Sequence, residues 1–333
     1  MPASPAPWWC WGGHAQTIAS ATWARRHPRH LTPPQPTWHS WPTPDGDVVA
    51  LAQFAELPQP SATPQPVLVM FHGLEGSANS HYAQAMAGAC AQAGVALWVL
   101  HFRGCGGLPN QQPRAYHAGD MAEIDWMLAR VAELTPGRPR AAVGVSLGGN
   151  ALMRWATAHG TQAARYVNAV ATVSAPFDLA AAGHAIEQGA NRWLYTPMFL
   201  RTMKQKARAM QQAYPDLLDW ARVQKARTIR AFDDAFTAPL HGFAGVNDYW
   251  AQASAGPHLP ALAMPAWLCH AQNDPFVPYA SIAPWRGITD ATWVTPPTGG
   301  HAGFLHAADA PWRGQLWRWC EELLQWLRPH AYG

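Results

Sequence analysis

Short apolar runs alternate with longer amphipathic ones over most of this chain, and the alternation starts abruptly. PVLVMFHG (Pro66 to Gly73) is a continuous apolar run closed by glycine, the pattern of a strand buried on both faces. SHYAQAMAGACAQAG follows with helical spacing and a glycine stop, then VALWVLHFRGCGG as a second buried strand and HAGDMAEIDWMLARVAEL as a second helix. AAVGV runs straight into the helical LGGNALMRWATAHG, and YVNAVATVSAP (Tyr166 to Pro176) adds another strand. Buried strands alternating with helices predict βαβ units and a mainly parallel sheet.

Two stretches break the rhythm. Residues 1–65 are rich in Pro, Trp and Thr, and the turn signal TPDGD (Thr43 to Asp47) between PTWHSWP and VVALAQF predicts an antiparallel hairpin. From about 177 to 262 the pattern is helix after helix with no strand, too long for a simple loop. We expect a helical cap inserted into one α/β domain that spans the chain, not a separate domain. The strand pattern resumes with PAWLCHAQND and ATWVTPP, and the amphipathic PWRGQLWRWCEELLQWLRPH closes the chain.

Composition narrows the function classes. With 333 residues, 49% of them hydrophobic, there is material for one large core. The net charge of +3 is weak and the 23 Lys and Arg form no basic run, which argues against nucleic acid as a partner. The 19 tryptophans are expected in core and helix packing, and a pocket role for some of them needs a site first. Cys10, Cys90, Cys105, Cys269 and Cys320 lie far apart with no Cys-x-x-Cys pair, so neither a zinc site nor a disulfide framework is expected. MPASPAPWWCWGGH has no basic start followed by an apolar run, and nothing approaches the roughly 18 apolar residues of a membrane span. These features lead us to expect a cytoplasmic chain without a permanent membrane anchor.

The candidate chemistry centres on Gly144-Val145-Ser146-Leu147-Gly148, where Ser146 falls between a short strand and a helix. That is the setting of a nucleophile elbow, whose tight turn excludes bulky side chains two places either side. A phosphate cradle is the rival, but GVSLGGN lacks the Lys-Ser/Thr ending of a P-loop and the spacing of a dinucleotide fingerprint. A serine nucleophile needs a base and an orienting carboxylate, expected from loops at the carboxyl ends of later strands. Asp274 in LCHAQNDPFVP and His301 in WVTPPTGGHAGF occupy such places, in the chain order Ser, Asp, His of α/β-hydrolases. His306 competes with His301, and Asp248 and the pair Asp233-Asp234 compete with Asp274, but those aspartates lie in the helical insertion. The oxyanion donors are expected to be the backbone N–H of Leu147 and, from the FHGLEGS turn, that of Leu74. His72 is expected to support that turn, and Glu75 is not needed as a further acid.

Several blocks resemble the YheT-like branch of the α/β-hydrolases: GGHAQTI, FHGLEGSANSHYA, HFRGCGGLPN, YHAGD, GVSLGGN, FDDAFTAPLHGF, DYW and NDPFVP. The resemblance runs from about Gly12 to the final helix. It implies a mainly parallel eight-stranded sheet with a helical cap, and a triad of Ser146, Asp274 and His301. The family's eukaryotic relatives include membrane-associated acyl-lipid hydrolases. FDDAFTAPLHGF carries no nucleophile or metal pattern, and we expect it to pack the cap on the sheet. Met198, Phe199, Met203 and Met210, with Trp193 and Tyr195, give the cap an apolar stock.

The expected activity is hydrolysis of carboxylic esters through an acyl-enzyme, with no metal or organic cofactor. The expected partner is a small-molecule ester of short to medium acyl chain, acyl lipids included. Monoacylglycerol or phospholipid hydrolase, thioesterase and peptidase chemistries are close alternatives, and a non-catalytic ligand-binding protein on the same scaffold is the alternative of another class. Dehalogenase and epoxide hydrolase chemistry is disfavoured because those enzymes attack with a carboxylate.

Overall fold

Eight strands form one sheet in a computed structural model that describes residues 7–22, 33–57, 64–287, 291–305 and 318–332. The strands are β1 (Thr37–Pro42), β2 (Val48–Gln53), β3 (Val67–Phe71), β4 (Ala96–Leu100), β5 (Arg140–Val145), β6 (Ala169–Val173), β7 (Ala266–Cys269) and β8 (Thr292–Val294). Their spatial order is β1-β2-β4-β3-β5-β6-β7-β8. The hairpin β1–β2 is antiparallel and β2 also runs antiparallel to β4, while every pairing from β4 to β8 is parallel.

The β3 sequence VLVMF shows why these runs are strands buried on both sides. Leu68 and Met70 join one apolar cluster, and Val67, Val69 and Phe71 join another on the opposite face. Helices cover both faces. On the first lie α1 (Gly12–Thr22), α2 (His81–Ala93) and, at the chain's end, α13 (Arg318–Leu327); on the second lie α3 (Met121–Leu134) and α4 (Leu147–His159). The glycine stop after α2 is real: Gly94 takes φ 70° and returns its N–H to the Cys90 carbonyl. Residues 306–317, with His306 and the first residues of the closing helix expected from sequence, lie outside the described residues.

The TPDGD turn of the hairpin is tied to the sheet by charge. Arg103, just beyond β4, reaches Asp45 at 2.9 Å, Asp47 at 3.3 Å and Glu123 at 2.6 Å, with its own side chain buried. Such a cation, removed from water, requires this many partners.

Between β6 and β7 the α-helices are α5 (Leu179–Ile186), α6 (Gly189–Leu194), α7 (Thr196–Ala213), α8 (Trp220–Lys225), α9 (Ile229–Phe232), α10 (Ala238–Leu240) and α11 (Val246–Ala253), with no strand among them. FDDAFTAPLHGF joins α9 to α10 through a π-helical turn at Asp233–Thr237. There the buried Asp233 carboxylate accepts hydrogen bonds from Thr237 Oγ1 at 2.7 Å and from Trp250 Nε1 at 2.9 Å, pinning α11 to this turn. Asn150 of α4 ties the same helices to the sheet layer, donating to the Ala118 and Ala253 carbonyls and accepting from the Ala255 amide. A last short helix, α12 (Tyr279–Ile282), follows β7. Among the described residues no helix is long and apolar enough to cross a membrane. All five cysteines are buried and unpaired.

Candidate active site

β5 ends in a turn too tight for ordinary side chains. Ser146 takes φ 53° and ψ −122°, a left-handed conformation rare outside glycine. A Cβ on Gly144 would lie 2.5 Å from Gly149 Cα, and one on Gly148 would lie 2.7 Å from the Phe71 carbonyl oxygen. The two glycines are therefore required by packing, because helix α4 starts hard against β3 and β5. The Ser146 amide is paired to the Val173 carbonyl at 2.8 Å, which fixes the turn to β6.

Asp274 and His301 come from the loops after β7 and β8, and the structure brings them into contact. Asp274 Oδ2 lies 2.9 Å from His301 Nδ1. The other carboxylate oxygen accepts from the Phe276 and Val277 amides at 2.8 and 3.0 Å. Burial opposes ionisation of Asp274, yet the His301 ring, its hydrogen bond, the nearby His270 and the Val277 amide together hold the carboxyl below the usual carboxylate range. An ionised carboxylate only accepts, so Nδ1 carries the imidazole proton and Nε2 is left with its lone pair. Phe276 lies against the ring, centroid to centroid 4.5 Å.

Ser146 and His301 line one cavity of about 620 Å³. Among the described residues no hydrogen bond joins them. Leu74 and Leu147 line the same cavity, and neither amide donates a hydrogen bond within the described residues. Leu147 is the first residue of α4, where helix N–H groups are free and an anion is favoured.

His72 does not line this cavity. It is fully buried, with Nδ1 on the Gly73 carbonyl at 2.7 Å and Nε2 taking the Phe102 amide at 3.2 Å, so it holds the turn. Glu75, at φ 56°, receives Tyr116 Oη at 2.7 Å and Lys206 Nζ at 2.8 Å, an ion pair between the turn and α7. No sequence pattern announced Lys206 or Tyr116, because the pairing spans elements far apart in the chain. Asp233 also reaches the cavity lining, whereas Asp248 is exposed and caps the start of its helix through the Ala244 amide.

The remaining cavity wall is mostly apolar. Met198, Phe199, Met203, Met210, Ile186 and Phe236 contribute to it, with Tyr195 near Phe276. Trp193, grouped with these residues by sequence, is instead 75% exposed and absent from the lining. No group of three or more His, Cys, Asp or Glu that could hold a metal ion occurs among the described residues.

Comparison with known proteins gives the same outline. A family model described as alpha/beta hydrolase fold matches residues 66–308. The Escherichia coli (strain K12) protein YheT, named as a candidate esterase, is 39% identical over 81% of this chain and 79% of its own. The mouse protein named phospholipase ABHD3 is 27% identical over 89% of this chain and 72% of its own. The yeast protein named monoacylglycerol lipase is 25% identical over 79% of this chain and 59% of its own. Among solved structures, a Pyrococcus furiosus esterase superposes with a TM-score of 0.56, at 10% identity, covering 90% of this chain and 93% of that one.

Proposed function

The chain belongs to the α/β hydrolase fold family, and from that premise we propose that it is a serine hydrolase cleaving carboxylic esters through an acyl-enzyme. The observation that carries the reading is the left-handed Ser146 at the strand–helix turn, sharing one cavity with an His301 oriented by a buried Asp274. Ser146 Oγ attacks the ester carbonyl while His301 Nε2 takes its proton. The Leu147 and Leu74 amides receive the oxyanion. The imidazolium, stabilised by Asp274, then protonates the departing alcohol, and the neutral ring activates water to release the acid. No step calls for a metal or organic cofactor.

The apolar wall from α5, α7 and the α9–α10 segment is where the acyl chain would lie, and it supports short- to medium-chain esters as substrates. That same wall, together with relatives named as a phospholipase and a monoacylglycerol lipase, favours an acyl-lipid hydrolase as the second reading. Hydrolysis of p-nitrophenyl esters from acetyl to palmitoyl, with Ser146→Ala beside the wild type, tests both. Turnover is expected to vanish in the variant while its circular dichroism stays native. Full activity in Ser146→Ala would overturn the assignment, and an optimum at long chains would select the lipid reading.

A further inference from the structure

The loop that carries His301 is held in a conformation its own sequence does not favour. Gly300, Ala302 and Phe304 have φ values of 62°, 54° and 53°, and two of the three are not glycine. Left-handed backbone of this kind persists only where surrounding groups over-determine it. Four successive backbone amides show what does so. Gly299 N–H donates to Gln16 Oε1 at 2.8 Å, Gly300 N–H to Asn273 Oδ1 at 3.0 Å, His301 N–H to Thr17 Oγ1 at 2.8 Å, and Ala302 N–H to Ser174 Oγ at 3.0 Å. Each acceptor is a side chain, and the four come from three separate parts of the fold.

The acceptors are themselves oriented. Thr17 spends its hydroxyl proton on the Gly13 carbonyl at 2.7 Å, which leaves its lone pairs for His301. Gln16 donates to the Cys10 carbonyl at 3.1 Å and accepts Asn273 Nδ2 at 3.0 Å, so both amide side chains have a single workable orientation. Gln16, Thr17 and Ser174 are 1%, 7% and 0% exposed, so water does not substitute for them. Asn273 is the chain neighbour of Asp274, and its bonds to Gly300 and Gln16 therefore join the acid loop, the base loop and α1 in one rigid unit.

We infer that Gln16, Thr17, Asn273 and Ser174 are positioning residues that set the His301 ring for proton transfer with Ser146, an inference that rests on the serine-hydrolase reading. Gln16, Asn273 and Ser174 do not line the cavity, and Thr17, which reaches its wall, has its hydroxyl committed to the Gly13 carbonyl and the His301 amide. They act by fixing four consecutive peptide planes, and with them the direction of the His301 Cα–Cβ bond. This gives the GGHAQTI segment a purpose: α1 supplies half of the frame in which the base sits.

The test compares Thr17→Val, which keeps the shape and removes the acceptor, with Thr17→Ser, which keeps the acceptor, and adds Gln16→Met, which removes the acceptor of the Gly299 amide. For p-nitrophenyl butyrate, kcat is expected to fall on the order of 10²-fold in Thr17→Val and Gln16→Met. KM should move by less than about twofold, since both replacements keep the shape of the cavity wall. Thr17→Ser should return most of the rate. The downfield proton resonance of His301 Nδ1–H on Asp274 should broaden or shift in the two weak variants and return in Thr17→Ser, a readout independent of turnover. Wild-type kcat and an unchanged resonance in Thr17→Val and Gln16→Met would overturn the inference, as would losses that only follow the folded fraction. If those variants behave normally while Ser146→Ala is dead, only the positioning role falls. If Ser146→Ala is fully active, the underlying reading falls, and the resonance still reports on the frame.

Discussion

At the scale of single residues, Ser146 shows a conflict between stability and chemistry. Its φ of 53° costs an L-residue roughly 1–2 kcal/mol. The side chain that holds this conformation is the one that would attack the ester, so strain and candidate chemistry sit on one atom set. Two substitutions separate them. Ser146→Ala removes the hydroxyl and keeps the strain, whereas Ser146→Gly removes both. We expect both variants to be inactive and Ser146→Gly to be the more stable by about 1 kcal/mol in urea denaturation, against the usual cost of glycine. Equal or lower stability of the glycine variant would show the turn to be unstrained. Asp274 permits a parallel argument. Replaced by Asn it could offer Nδ2–H to the ring and favour the tautomer with the proton on Nε2, which cannot act as base. Asp274→Asn is accordingly expected to keep its fold and lose kcat by roughly 10⁴-fold, and an activity within tenfold of wild type would refute the orientation argued for His301.

At the scale of elements, legibility followed hydrophobic contrast. VLVMF, ALWVL and AVATV could be read as strands because burial on both faces leaves Thr172 as their one polar position. Ser146, Asp274 and His301 could be proposed as partners because each follows a strand-like run, although β8 before His301 is itself only half-buried. Helix α1 could not be read the same way. The residues it buries are Gln16, Thr17 and Ser20, so its inward face is polar and it has no apolar stripe for periodicity to detect. The quoted GGHAQTI block marked the place without explaining it. The π-helical turn at Asp233–Thr237 was opaque for a related reason: its meaning lies in Thr237 and Trp250 converging on one buried carboxylate, a contact with no local signature. Polar groups buried against distant partners are what sequence pattern conveys least.

At the scale of the whole molecule, the buried histidines set how the fold responds to acid. Burial, then the neighbouring His101 ring and Lys206, push His72 down to about 3 against the pull of the Gly73 carbonyl. Burial pushes His101 down to about 4, opposed by the Ala50 carbonyl. Each ring donates from Nδ1 to a carbonyl and accepts a backbone amide at Nε2: Phe102 N–H on His72 and Ala78 N–H on His101. A second proton would set one N–H against another, which is why both stay neutral. In the unfolded chain both rings take up a proton near 6.5, so below that pH the unfolded state binds more protons than the folded one. Their contribution is therefore complete above pH 6.5 and is lost as pH falls toward 4 and then 3. Asp233 works in the opposite sense. Burial raises it from 3.8 to about 6 against its bonds from Thr237 and Trp250, so its contribution is present at low pH and is lost as pH rises through about 6. Burial likewise pushes His241 down to about 4 and Glu123 up to about 7, so with three such histidines against two such carboxylates the urea midpoint is expected to fall from pH 7.5 to pH 4.5, and Asp233→Asn should steepen that fall by removing one of the opposing groups. A midpoint that is flat or rises toward pH 4.5 would mean that His72 and His101 are not held neutral. Because His72 and His101 brace the turn that carries Leu74, acid should loosen the candidate oxyanion hole by the same protonation that weakens the fold.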